Sequence, residues 1–137
     1  MNTYLKTEKN KSMSKFSLAF FNRKVKIYKM SHSIKSQNIM TETSIDDEIT
    51  VYKYIAEDDL LFQTHAISCD TQSYNIINIY EDNPGINHIG IVHYISGIFC
   101  KNKIPLLYIN TFSYNLILIS DEYFENAKKV LLNDPNF

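Results

Sequence analysis

Three residue types that usually punctuate a fold are scarce here. The 137-residue chain has three glycines, three prolines and two cysteines. Cys69 and Cys100 stand far apart with no C-x-x-C partner. A metal or redox motif needs closer or more numerous thiols, so the pair reads as two reduced, buried thiols of a cytosolic protein. No run approaches the roughly 18 to 20 apolar residues of a membrane helix, so no membrane span is expected. Residues 1–15 are polar and basic and lack the apolar stretch of a secretory signal. Asn10-Lys11-Ser12 therefore reads as a chance match to the glycosylation pattern. Neither end carries a myristoylation or prenylation motif.

Acid is the other shortage, and it is local. Residues 1–36 hold Lys6, Lys9, Lys11, Lys15, Arg23, Lys24, Lys26, Lys29 and Lys35 against Glu8 alone, although the net charge of the whole chain is −1. Such asymmetry can mark a nucleic-acid or membrane arm, or an organelle transit segment. No aromatic stacking pattern accompanies the lysines; Phe16, Phe20 and Phe21 cluster as packing residues do. A basic, disordered leader over residues 1–22 is the expectation, and nucleic acid is not an expected partner.

What is present is apolar. The chain is 45% hydrophobic and 13% aromatic, enough for one domain-sized core or two small modules. Ile, Asn, Lys and Tyr are abundant in a way that codon bias would explain, so single Asn and Lys residues carry little weight. KVKIYKM (24–30) alternates as a strand with one wet face. NIMTETS and EITVYKYI (48–55) read as strands joined by the turn-forming Ile45-Asp46-Asp47. AEDDLLF (56–62) reads as one or two helical turns with acids placed early. HAISCD and SYNIINIYE (73–81) are strand signals. EDNPGIN (81–87) is the clearest break, with a tight turn at Pro84-Gly85. From Asn87, a candidate N-cap, to Lys101 the pattern is helical, with Ile91, Ile95 and Ile98 on one face widened by Val92 and Phe99. IPLLYIN (104–110) and NLILIS (115–120) are strands. Asp121 is expected to cap a last helix, EYFENAKKVLL, buried through Phe124, Ala127 and Val130/Leu131 and stopped by Asp134-Pro135.

The order from residue 74 is strand, helix, strand, strand, helix, with a fourth strand missing. From residue 24 a similar order runs with its first helix shrunken or absent. The reading is an α+β fold, an antiparallel sheet with helices on one face, built from two copies of one small unit. The boundaries are 23–73 for a degenerate first unit, 74–132 for a second and 133–137 for a tail.

This order, with EDNPGIN between a strand and a helix, resembles the ACT domain, a ferredoxin-like βαββαβ ligand-binding module. GINHIGIV (85–92), IPLLYINTFSYNLILI (104–119), the DEYFENAKKVL helix and MTETSIDDEITVYKYIAEDDLL (40–61) resemble more closely the CASTOR family, cytosolic arginine sensors built of tandem ACT units. The similarity covers about residues 25–132. The resemblance implies tandem ACT-like units, a cytoplasmic setting, an amino acid or similar small molecule as ligand, and a homodimer or another ACT-containing or regulatory protein as partner. Two departures stand out. The family carries four units where this chain has room for two. Two acids of its pattern, suited to a guanidinium, are replaced here by Asn115 and His88.

A free amino acid presents a carboxylate and an ammonium. The carboxylate suits backbone N–H groups at a helix start, which Gly85, Ile86, Asn87, His88, Ile89, Gly90 and Ile91 would offer, the glycines allowing close approach. The ammonium suits oxygens, which Thr111, Ser113 and Asn115 would supply, with Phe112 beside them. The bland alternative is a hairpin connection, with Phe112 and Tyr114 packed on the sheet. Pro105 and Leu106 follow only from where the family places its other pocket wall.

No catalytic constellation is visible. His88 and His93 are five apart, off the spacing that puts two ligands on one helical face, and no third ligand is in sight. There is no nucleophile elbow, no Ser/His/Asp arrangement and no P-loop. No enzyme, cofactor or metal is expected. The reading is a non-enzymatic regulatory module that binds a small molecule and signals through association, helped by the sheet edge the missing strand leaves open. The alternatives are a ligand-free ACT-fold dimerisation module and a nucleic-acid or membrane binder led by the basic arm.

Overall fold

A computed structural model describes residues 4–7, 16–56, 60–81, 91–110, 115–135 and 137. Eight strands and three helices lie among them: β1 (Tyr4–Thr7), β2 (Phe16–Met30), β3 (Ile39–Ile45), β4 (Glu48–Tyr54), α1 (Leu60–His65), β5 (Ser68–Cys69), β6 (Tyr74–Glu81), α2 (Ile91–Lys101), β7 (Leu107–Asn110), β8 (Asn115–Ser120) and α3 (Asp121–Leu132). They form two compact units. A discontinuous unit joins Met1–Asn22 to Asn75–Phe137, and a contiguous unit spans Arg23–Tyr74. Strand β2 serves both, residues 16–22 in the first and 23–30 in the second.

In the contiguous unit β3 pairs with β4, β4 with β2, and β2 on its other side with β5, all antiparallel. The β3–β4 hairpin closes Ile45 opposite Glu48, leaving Asp46 and Asp47 as a two-residue turn, with Asp46 at φ 53°. Aspartate tolerates that left-handed backbone, which fits the turn expected there. The core is small: Tyr28, Met30 and Val51 from the strands and Phe62 from α1, with Ile34, Ile39, Ile49 and Ala66 around them.

In the discontinuous unit the hydrogen-bonded order is β2–β6–β8–β7, with β1 also on β2. Asn75 at the start of β6 donates to Asp121 just after β8, while Asn115 at the start of β8 donates to Ile79 near the end of β6, so these strands run antiparallel. One sheet face carries Leu18, Phe20, Ile77, Ile79, Ile117 and Ile119, and α2 and α3 cover it with Ile91, Ile95, Phe99, Ala127 and Leu131. Ile98, Phe124 and Val130 pack at the margin, whereas Val92 turns outward and is 42% exposed. Lys128 sets its ammonium 5.4 Å from the rings of both Phe20 and Phe124, which meet edge to face.

Helix α2 ends in a Schellman motif. Ile104 N–H donates to the Phe99 carbonyl at 2.9 Å and Lys103 N–H to the Cys100 carbonyl at 3.1 Å. Lys103 takes φ 58°, the left-handed position that glycine usually fills, and buried Ile104 packs into the core that also holds Phe99. At α3 the N-cap is Ser120 in extended geometry, with no side-chain cap bond. Asp121, expected as the cap, is the first helical residue and is held by Asn75.

The tandem βαββαβ arrangement is corrected by this topology. Eight strands dominate, and the contiguous unit has a single six-residue helix among the described residues, too short to be one of the two helices of such a unit. The polar SHSIKSQ stretch supplies no replacement, since residues 31–38 form no helix. The supposed leader also contributes structure: β1 and the first half of β2 lie in it. KFSLAFF is why. Its alternate residues Leu18 and Phe20 enter the helix-covered core while Ala19 is buried on the opposite face. This segment lies next to β6, in the place where the missing fourth strand was expected to leave an open edge.

Candidate functional site

Of the residues expected to form a pocket, Ile91 and Asn115 are described. Ile91 is buried at the start of α2 and belongs to the core. Asn115 is half-buried, and its Nδ2 donates to the Ile79 carbonyl at 3.3 Å, tying β8 to β6. Gly85, Ile86, Asn87, His88, Ile89, Gly90, Thr111, Phe112 and Ser113 lie outside the described residues. Pro105 is exposed, and Leu106 packs against the core of the discontinuous unit.

Other groups the sequence drew attention to are dispersed. Cys69 and Cys100 are not joined in a disulfide, and both are exposed rather than buried. His93 is exposed on α2. No group of three His, Cys, Asp or Glu among the described residues is placed to hold a metal ion.

The contiguous unit carries its polar chemistry on aromatic rings. Arg23 lies 4.1 Å from the centre of the Tyr54 ring and donates to Asn38 Oδ1 at 2.8 Å. Tyr54 N–H donates to the Asn38 carbonyl at 2.7 Å, and Asn38 takes φ 67°, so the three residues fix one corner of the sheet. Lys53 is 2% exposed, with its ammonium 5.3 Å from the Phe62 ring, and stands directly across from Lys26. Tyr74 donates to Asp70 Oδ2 at 2.5 Å. Burial, that hydrogen bond and the Asp70 charge push its phenol up to about 12.

One group in the discontinuous unit stands apart. β6 alternates, so Ile77 and Ile79 face the helices and Ile76 and Asn78 face the other way. The β7–β8 register places Leu107 and Ile109 on that second face with Leu118 and Leu116. Asn78 is 0% exposed, and neither its Nδ2 nor its Oδ1 has a hydrogen-bond partner. Ile76, Leu118 and Ala19 on the same face are fully buried, and Leu116 nearly so. Proteins rarely leave a buried carboxamide unmet, because its desolvation costs about 1–3 kcal/mol. The signal was present as an Asn inside the apolar run NIINI, but in an Asn-rich chain it carried no weight.

No family model matches the chain. No curated protein matches it either. Two solved structures share the fold. A protein of unknown function from Vibrio cholerae, VC0802, described as a possible transport protein, superposes with a TM-score of 0.71 over 85% of this chain and 88% of its own, at 12% identity. Atu0741 from Agrobacterium tumefaciens gives 0.61 over 80% and 81%, at 18% identity. These likenesses extend to the fold alone. No helix among the described residues is long and apolar enough to cross a membrane.

Proposed function

We propose that this chain is a non-enzymatic regulatory module of the cytoplasm that binds a small polar molecule, an amino acid first among them, and signals through protein association. The observation that carries the reading is the Asn78 carboxamide. It is fully buried and offers two donors and an acceptor without a hydrogen-bond partner, and a bound molecule would meet what the protein leaves unmet. The resemblance of the EDNPGIN and IPLLYINTFSYNLILI stretches to the CASTOR family is what puts amino acids at the head of the trial set. Binding would act by favouring one association state over another.

Calorimetric titration with the twenty amino acids, joined to mass spectrometry of small molecules that co-purify, tests this. Heat with at least one amino acid, or a bound amino acid in the purified protein, is the expected result. Silence from all of them, from folded protein, would remove the reading.

A second reading, a ligand-free association module, draws on the end of the sheet. β7 pairs with β8 on one side, and its other side has no partner strand among the described residues. Its sequence LYIN carries no charge, and Leu107 is exposed. An uncharged open edge is a template for a strand from another chain. Ile109→Lys would then lower self-association in sedimentation while leaving the fold intact.

A further inference from the structure

We infer that the stretch after α3, residues 134–137, is the resident occupant of a peptide-docking seat, and that the seat takes from another protein a segment with a carboxylate three residues ahead of an aromatic ring. None of the residues involved belongs to the ligand-binding reading, and the seat gives protein association a place on the discontinuous unit.

The seat is visible because its occupant is in it. Phe137 is 2% exposed and belongs to the core that also holds Ile91 and Ile95 of α2 and Leu131 of α3. Its ring stacks on Tyr94 of α2, with centres 6.4 Å apart and planes 23° from parallel. The Tyr94 hydroxyl donates to the Asp134 carboxylate, 2.8 Å from both oxygens. One tyrosine thus reads a charge with its hydroxyl and an apolar ring with its face. Between the two anchors, Phe137 N–H donates to the Asp134 carbonyl at 3.2 Å, closing a turn with Pro135 second in it, where a fixed φ suits the turn. Asp134 N–H donates to the Leu131 carbonyl at 3.1 Å. Both backbone bonds are local, unlike the ladder that ties a strand to distant residues. Releasing the stretch therefore costs side-chain contacts but no ladder, and such a segment opens ahead of the core. A peptide of the same chemistry meets the same two anchors in trans. The resident stretch holds the advantage of its tether, so the seat stays closed until a partner competes for it.

The test uses the full chain with both anchors removed, Asp134→Ala/Phe137→Ala, and the capped peptide acetyl-Asp-Pro-Asn-Phe-amide as probe. Calorimetric titration is expected to show the peptide binding this variant at least ~10-fold more tightly than the wild type, whose own residues fill the seat. Replacing either anchor of the peptide, its Asp by Asn or its Phe by Ala, is expected to cost at least ~10-fold in affinity. No binding to the variant, equal binding to variant and wild type, or indifference to either change in the peptide overturns the inference. Should the variant fail to fold, amide hydrogen exchange on the wild type decides. Phe137 N–H exchanging well ahead of the Ile95 and Phe99 N–H groups of α2 supports an exchangeable occupant. Exchange in step with them makes Phe137 a fixed part of the core and overturns it.

Discussion

The discontinuous and contiguous units bury their side chains by different means. In the first, two helices of 11 and 12 residues cover a sheet face, and the core is almost wholly aliphatic and aromatic hydrocarbon. In the second, a six-residue helix serves a smaller core, with Phe62 under the Lys53 ammonium and Tyr54 under the Arg23 guanidinium. The contrast shows how a short segment compensates for meagre apolar area. It places cations over rings, where the long alkyl stems pack and the charges meet the π faces.

That contrast can be broken at its strongest point first. Phe99→Ala removes a fully buried ring from the hydrocarbon core and should cost about 3–5 kcal/mol in denaturant unfolding. Phe62→Leu keeps most of the apolar volume of the contiguous unit but removes the ring beside Lys53. A loss of about 1–2 kcal/mol is expected, with part of it recovered in the double variant Phe62→Leu/Lys53→Met. If the single variant costs nothing, the cation–ring account of this unit fails.

A gain should come at the end of α2. Lys103 holds φ 58°, so Lys103→Gly should stabilise by about 1 kcal/mol, read as a higher thermal midpoint. The last prediction separates the units by pH. Tyr74 of the contiguous unit keeps its proton to about pH 12, whereas an unfolded tyrosine releases it near 10.0. Between those values the folded state binds more protons than the unfolded one, so its contribution, fully present below pH 10, is lost as pH rises to 12. Tyr74→Phe should make the alkaline fall in stability shallower over that window. An unchanged slope would mean that Tyr74 does not titrate as described.

Much of the local structure was legible. The strands at 24–30, 48–54 and 115–120 and the helix at 121–132 follow from alternation and helical spacing, because each has a face whose burial its own residues specify. The arrangement was less so. Leu18 and Phe20 meet β6 residues more than fifty positions away, and no local pattern names so distant a partner. A charge count over the N-terminal stretch therefore suggested a leader where strands form. Val92 illustrates a smaller limit: spacing admitted it to the apolar face of α2, but packing chose Ile91, Ile95 and Phe99. Asn78 was hidden by composition, since an asparagine counts for little until its burial is known. The pocket expected at 85–91 and 111–115 lies largely outside the described residues, so Ile91, buried in the core, and Asn115, with its bond to Ile79, are the members whose surroundings are seen.

The division of β2 between the units has a consequence for the order of events during synthesis. As the polypeptide leaves the ribosome, Arg23–Tyr74 emerges as one uninterrupted piece and has all its own strands in hand. Residues 4–22 emerge earlier still, and although β1 and β2 can pair at once, their other neighbour, β6, is translated only afterwards, and α3 later again. The apolar side chains of the N-terminal strand therefore spend the middle of translation uncovered. Lysines clustered around them give that waiting segment a charge that discourages premature pairing between nascent chains.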